Sequence, residues 1–248
     1  FESELHGEAL ELAQKIHDHL TPQTSAYAEI WLDGEKAVVV GENVVEPIYG
    51  KTYLPRKFKI AVAIPPRNDV DVFSNCLGYI GISENGNIAG YNIVVGGGRG
   101  MTHGKTSTFP RLADVLGFCS PDQAVQVAEE VVKIQRDYGN RSDRKHARLK
   151  YTIEDRGITW FKEKLNRRLG WNLMPIRDFN FESTTDRYGW NQDADGSWTY
   201  GLFFESGRLR EKPKSAIRKI ASLISCEFRL TANQNLVIAR VASDDTSR

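Results

Sequence analysis

Lys57 and Lys59 stand two residues apart in the stretch YLPRKFKIAVAIPP (53–66), and Ala61 and Ala63 continue the same spacing. The β-branched and aromatic residues of 58–64 read as a strand. Side chains on a strand switch faces at every residue, so Phe58, Ile60, Val62 and Ile64 share one face and the lysines and alanines share the other. Two ammonium groups beside a shallow alanine wall would hold a small anion and leave room for something flat or bulky. The same residues also suit an edge strand whose lysines discourage pairing with another chain. The stretch alone leaves both readings open.

Two more constellations carry possible chemistry. Gly96-Gly97-Gly98-Arg99-Gly100 follows a strand pattern, yet Met101 stands where GxGxxG needs glycine and no Gly-Lys-Ser/Thr completes a P-loop. What the run offers is a backbone that approaches a flat or charged ligand closely and exposes N–H groups, with Arg99, His103 and Lys105 beside it. A glycine-rich turn with solvated charges is the plainer reading. In 140–150, if Asp143 caps a helix, Arg144 and Arg148 lie at i and i+4 and could hold two carboxylates, with Arg141 turned away. A solvated basic face or a nucleic-acid patch are the alternatives, and no aromatic platform interleaves these charges to favour nucleic acid. The stretch 231–235, TANQN, reads as a polar turn between strands.

Elements that must position these groups follow from periodicity. Leu5, Ala9, Leu12, Ala13, Ile16 and Leu20 predict a helix over 4–20, ended by Pro22. Strands are expected over 27–32 and 37–40 around Asp33-Gly34, and over 77–82 and 88–95 around Asn85-Gly86. Helices are expected over 108–116, over 121–138 with Ser120 as cap, and over 143–169 with an interruption near Gly157. Periodicity fails around 170–187, which sets the expected boundary between a unit at 1–170 and a smaller, incomplete one at 171–248. In the latter, strands are expected at 198–205, 226–230 and 236–241, and a helix at 213–224. The class is α+β, with mixed and antiparallel sheets covered by helices.

The 248 residues include 40% hydrophobic and 10% aromatic residues, enough for a packed core. A net charge of +1, from 33 basic and 32 acidic residues, gives no global argument for nucleic acid or an acidic membrane. Cys76, Cys119 and Cys226 are scattered without metal-ligand spacing, which fits reduced thiols in a cytoplasmic protein. No metal ligand is assigned among them, and neither a membrane span nor a signal peptide is expected. The chain opens on Phe1 in a helical pattern, so it is expected to be an excerpt or a processed product.

TYLPRKFKIAVAIPP, VVGGGRGMTHG, QRDYGNRSDRKHARLKYT and RLTANQNLVI, in that order, resemble the signatures of the siroheme-containing sulfite and nitrite reductases, and most closely the sulfite reductase haemoprotein. The resemblance covers essentially the whole chain. It implies a siroheme sulfite reductase-like domain followed by part of a ferredoxin-like α+β domain, and six-electron reduction of sulfite to sulfide. It implies that Lys57 and Lys59 bind and protonate sulfite, and that Arg56, the glycine loop (Gly96, Gly97, Gly98 and Arg99), His103, Arg144 and Arg148 hold the siroheme. Electrons would come from a flavoprotein reductase subunit or a ferredoxin. The family also carries two further substrate-binding arginines and the cysteines of a 4Fe-4S cluster, none of which matches a residue of this chain. A non-catalytic siroheme- or anion-binding module is therefore the alternative, with nitrite reduction a further one. Neither a nucleic-acid partner nor a membrane is expected.

Overall fold

The computed structural model describes residues 3–23, 28–40 and 45–247. Ala9, Leu12, Ile16 and Leu20 form the buried stripe of helix α1 (Glu4–Leu20), and Ser3 caps it by accepting from the His6 N–H at 3.4 Å. Asp33 and Gly34, both at positive φ, close a hairpin of β1 (Ala28–Leu32) and β2 (Glu35–Val40). Tyr27, the expected start of the first strand, lies outside the described residues.

Asn85 and Gly86 take φ of 53° and 86° and join β4 (Leu77–Glu84) to β5 (Asn87–Val95). Positive φ at both central residues matches the turn to the twist of its strands. β3 (Ile60–Ala63) pairs with β4 in parallel, and β6 (Asp114–Cys119) pairs with β5 antiparallel. The order β3-β4-β5-β6 leaves β3 at an edge.

The helix expected over 108–116 is not formed. Residues 108–113 are irregular, and β6 begins at Asp114. Val115 packs into the cluster on one face of the sheet and Leu116 into the cluster on the other, a two-residue period that a helix cannot produce. Pairing with β5 decides the outcome over local propensity.

A 3₁₀ turn at Pro121–Gln123 opens helix α2 (Ala124–Tyr138), and the Ser120 N–H donates to Gln123 Oε1 at 3.1 Å. Helices α3 (Leu149–Arg156) and α4 (Ile158–Leu169) are parted by Gly157 at φ 84°. Helices α1, α2 and α4 cover one face of the first sheet, where Phe58, Ile60 and Val62 pack with Tyr79, Ile93, Val131 and Phe161. On the other face Ala61 and Ala63 share a cluster with Val72, Phe73, Phe179 and Phe181.

The second sheet is antiparallel throughout, in the order β7-β8-β10-β9: β7 (Gly189–Gln192), β8 (Trp198–Leu202), β9 (Glu227–Leu230) and β10 (Leu236–Val241). Sequence periodicity missed β7, whose four residues are too few to establish a period. Helix α5 (Glu211–Leu223) lies between β8 and β9 in the chain. No helix among the described residues is long and apolar enough to cross a membrane.

Candidate functional site

Three chain segments meet around a cavity of about 480 Å³. The approach to β3 contributes Arg56 and Lys57, and the loop after β5 contributes Gly100, Met101, Thr102 and Thr108. The entry to α3 contributes Arg144, Lys145, Arg148 and Tyr151. Among the described residues the lining holds five cationic side chains and no carboxylate. Like charges gathered around a concave, low-dielectric wall focus a positive potential, which favours an anionic occupant.

The lysine pair sits just ahead of its strand. β3 starts at Ile60, so Lys57 and Lys59 belong to the extended lead-in, although the Lys59 carbonyl still accepts from the Leu77 N–H at 3.1 Å. Both lysines are exposed; Lys57 lines the cavity and Lys59 does not. The face they were expected to share with open space beyond Ala61 and Ala63 is not open. Phe179 and Phe181, arriving from far along the chain, fill that space.

The glycine run is buried through Gly98, and the N–H groups of its first three glycines are used within the protein. Gly96, Gly97 and Gly98 donate to the carbonyls of Cys76, Asn75 and Arg111 at 2.9, 2.9 and 2.8 Å. Their small size serves packing. A Cβ on Gly97 would lie 2.0 Å from the Phe73 carbonyl oxygen, and one on Gly98 would lie 2.9–3.2 Å from the Arg148 guanidinium. Arg99 points away into an ion pair with Asp71 and is 75% exposed. His103 is exposed and outside the lining.

Arg144 and Arg148 do line one cavity, though not as neighbours on one helix. Residues 144–146 form a 3₁₀ turn, opened by Asp143, whose carboxylate accepts from the Lys145 N–H at 2.8 Å. That bond, then Lys105 and His146 nearby, hold the Asp143 carboxyl below its usual range. Arg148 follows as the N-cap of α3. Its Nη2 reaches the Cys76 thiol at 3.4 Å, while its Nε is buried with no hydrogen-bond partner. Arg141 lies outside the lining and donates to the carbonyls of Thr52, Tyr53 and Arg136 at 3.2, 2.6 and 3.0 Å.

Lys150 was passed over as one more member of a basic run. It is 1% exposed, and its ammonium donates to the carbonyls of Gly98, Gly100 and Phe109. Burial first, and Arg148 second, lower its pKa. No local pattern marked it: Lys150 is buried because packing covers the whole run 149–153.

Residues 231–235 form a turn tied from beneath. The buried Asp186 carboxylate accepts from Thr231 Oγ1 at 2.6 Å, Asn233 Nδ2 at 3.0 Å and Asn235 Nδ2 at 2.8 Å. Among the described residues no group of three or more His, Cys, Asp or Glu is arranged to hold a metal ion.

Comparison with known proteins bears on this geometry. Residues 11–173 match the nitrite and sulphite reductase 4Fe-4S domain, and residues 191–247 match the nitrite/sulfite reductase ferredoxin-like half domain. The chain belongs to the nitrite and sulphite reductase family. It is 56% identical to the sulfite reductase [NADPH] hemoprotein beta-component of Paenibacillus sp. (strain JDR-2), over 100% of this chain and 44% of that protein. Identity to the protein of the same name from Bacillus subtilis (strain 168) is 51%, over 98% of this chain and 43% of that protein. The chain thus spans less than half the length of the curated relatives it matches. Its fold is similar to that of the Mycobacterium tuberculosis NirA protein, with a TM-score of 0.69 at 24% identity over 95% of this chain and 38% of that one.

Proposed function

We propose that this chain is the siroheme- and sulfite-handling part of a longer sulfite reductase haemoprotein, which reduces sulfite to sulfide with six electrons. In this reading 1–170 is the siroheme- and sulfite-binding unit and 171–248 a second, smaller one. Relatives at 51–56% identity carry the name of that enzyme's hemoprotein component. The observation that carries the reading is the cavity wall, where Arg56, Lys57, Arg144, Lys145 and Arg148 converge without a carboxylate among the described residues.

A carboxylate-rich macrocycle fits these residues. A guanidinium pairs with a carboxylate through parallel hydrogen bonds, and Arg148 keeps a buried Nε unsatisfied, a donor that costs free energy until it is paired. Gly98 leaves the space in which that guanidinium lies. Arg56, Arg144 and Arg148 would hold the ring's carboxylates. When bound, siroheme supplies the iron and conjugated ring through which electrons reach the substrate.

Lys57 and Lys59 would neutralise the sulfite anion and donate protons as its oxygens leave as water. Six electrons would arrive from an NADPH-linked flavoprotein subunit or from a ferredoxin, in the cytoplasm. For the 4Fe-4S cluster the described residues offer no donor set, so no ligand of it is assigned to this chain.

The test is siroheme per protein, read by absorbance after gel filtration of full-length variants. Arg148→Ala should lose siroheme, and Arg148→Lys should lose less than Ala. Equal occupancy in both variants and the parent would overturn the cofactor reading of this cavity.

A further inference from the structure

Lys150 is a buried cation that forms no ion pair with a carboxylate among the described residues. Its charged neighbour is Arg148, and its hydrogen bonds go to main-chain carbonyls. An ammonium has three N–H donors and no acceptor, and here it meets three carbonyl oxygens, those of Gly98 at 3.3 Å, Gly100 at 2.7 Å and Phe109. The Tyr151 ring lies 4.8 Å from Nζ and the Phe109 ring 5.9 Å, so the remaining surroundings are aromatic faces that tolerate a cation.

The identity of those carbonyls gives the arrangement its meaning. Gly98 and Gly100 stand at the start of the loop 98–109 and Phe109 at its end. Gly100 itself, with Met101, Thr102 and Thr108 beyond it, walls the basic cavity. The loop contains no helix or strand. Internally it is held by Thr102 N–H donating to Thr108 Oγ1 at 2.8 Å and Thr108 N–H donating to the Lys105 carbonyl at 2.9 Å. Its ends are joined by the reciprocal main-chain pair of Gly98 and Arg111 at 2.8 and 3.0 Å, and Lys150 ties them a second time through Gly98, Gly100 and Phe109. Helix α3 and its cap therefore carry Arg148 for the occupant and Lys150 for the wall, two residues apart.

We propose that Lys150 is a positioning residue of the cavity, its ammonium clamping both ends of the 98–109 loop so that the wall facing the occupant keeps its shape. Its bearing on siroheme rests on the function proposed above, while the clamp itself is read separately. Arginine cannot reproduce it, because a planar guanidinium fork does not aim three donors at converging carbonyls.

Full-length Lys150→Met, Lys150→Arg and Arg148→Ala are compared by peptide-resolved hydrogen exchange and by siroheme absorbance. Lys150→Met should exchange about tenfold faster across 98–109 than the parent, since a loop whose carbonyls are no longer held opens more readily. It should also retain at most about a third of the parent's siroheme, the loss expected when a wall is no longer held. Lys150→Arg should move both readouts in the same direction by less, and takes over the test if the Met variant does not fold. Arg148→Ala should lose siroheme without faster exchange in the loop. Unchanged exchange in the Lys150 variants overturns the clamp, and faster exchange with full siroheme overturns its positioning role. If Arg148→Ala keeps its siroheme, the cavity assignment fails, and the exchange data still decide the clamp.

Discussion

Gly98 and Arg148 are packed so closely that a Cβ on the glycine would stand 2.9 Å from Nη1 of the arginine. The contact is between main chain and a guanidinium whose other side meets the Cys76 thiol, so the arginine has little room to retreat. Gly98→Ala should therefore displace Arg148 and cost about 1–3 kcal/mol, the usual range for overpacking. Chemical denaturation measures the loss, and siroheme absorbance in the full-length protein should fall with it. A variant as stable and as fully loaded as the parent would show that Arg148 swings aside freely.

Lys57→Met and Lys59→Met in the full-length enzyme should each lower sulfite turnover about 10²-fold or more, the scale of losing a general acid or an electrostatic donor. Siroheme content should stay nearly unchanged, because the proposed carboxylate partners are the arginines. β3 is an edge strand, so protection of that edge is a live competitor for both lysines. Protection predicts normal turnover with more aggregation, and steady-state kinetics beside light scattering separates the two.

The alternation of 58–64 was legible because one face of that strand meets a helical layer, and burial enforces a period of two. The fate of Ala61 and Ala63 was not, since the rings that fill the space come from Phe179 and Phe181, in a segment with no periodicity of its own. For the same reason the strand at Asp114–Cys119 was misread: its pairing with β5 supplies the decisive hydrogen bonds, and no local pattern announces them. At the site, the sequence marked Arg56, Lys57, Arg144 and Arg148, all of which line the cavity. It also marked Arg99, which lies outside the lining in an ion pair with the sequence-distant Asp71, and it overlooked Lys150, because charge normally signals a solvated position.

The three thiols should differ sharply in reactivity. Burial pushes the Cys119 thiol up to about 12, so at pH 8 only about one part in 10⁴ is thiolate, the nucleophilic form. Cys76 is 1% exposed, whereas Cys226 is only half-buried. Iodoacetamide at pH 8, followed by peptide mass spectrometry, should label Cys226 first and reach Cys76 and Cys119 only on unfolding. Rapid labelling of Cys119 in native protein would contradict its placement in the core.

Asp186 should be the most costly single loss in the second sheet's loops. Its carboxylate is 7% exposed and collects the side chains of Thr231, Asn233 and Asn235. Asn235 in turn offers its Oδ1 to the Phe204 N–H at 2.8 Å, so the carboxylate fixes the turn between β9 and β10 and, through it, the end of β8. Removing the carboxylate leaves the buried Asn235 amide short of a partner at about 1–3 kcal/mol, while the half-buried Thr231 and exposed Asn233 can turn to water. Asp186→Ala should thus destabilise the protein by about 2–3 kcal/mol, read from the urea midpoint at constant slope. Asp186→Asn keeps one acceptor oxygen and brings two donors toward donors already in place, so it should recover only part of that loss. Thr231→Val removes two bonds, the one Oγ1 donates to Asp186 and the one it accepts from the Asn235 N–H at 3.1 Å, and should cost about 1–2 kcal/mol. Equal, small losses in all three variants would mean that the turn holds its shape without the carboxylate.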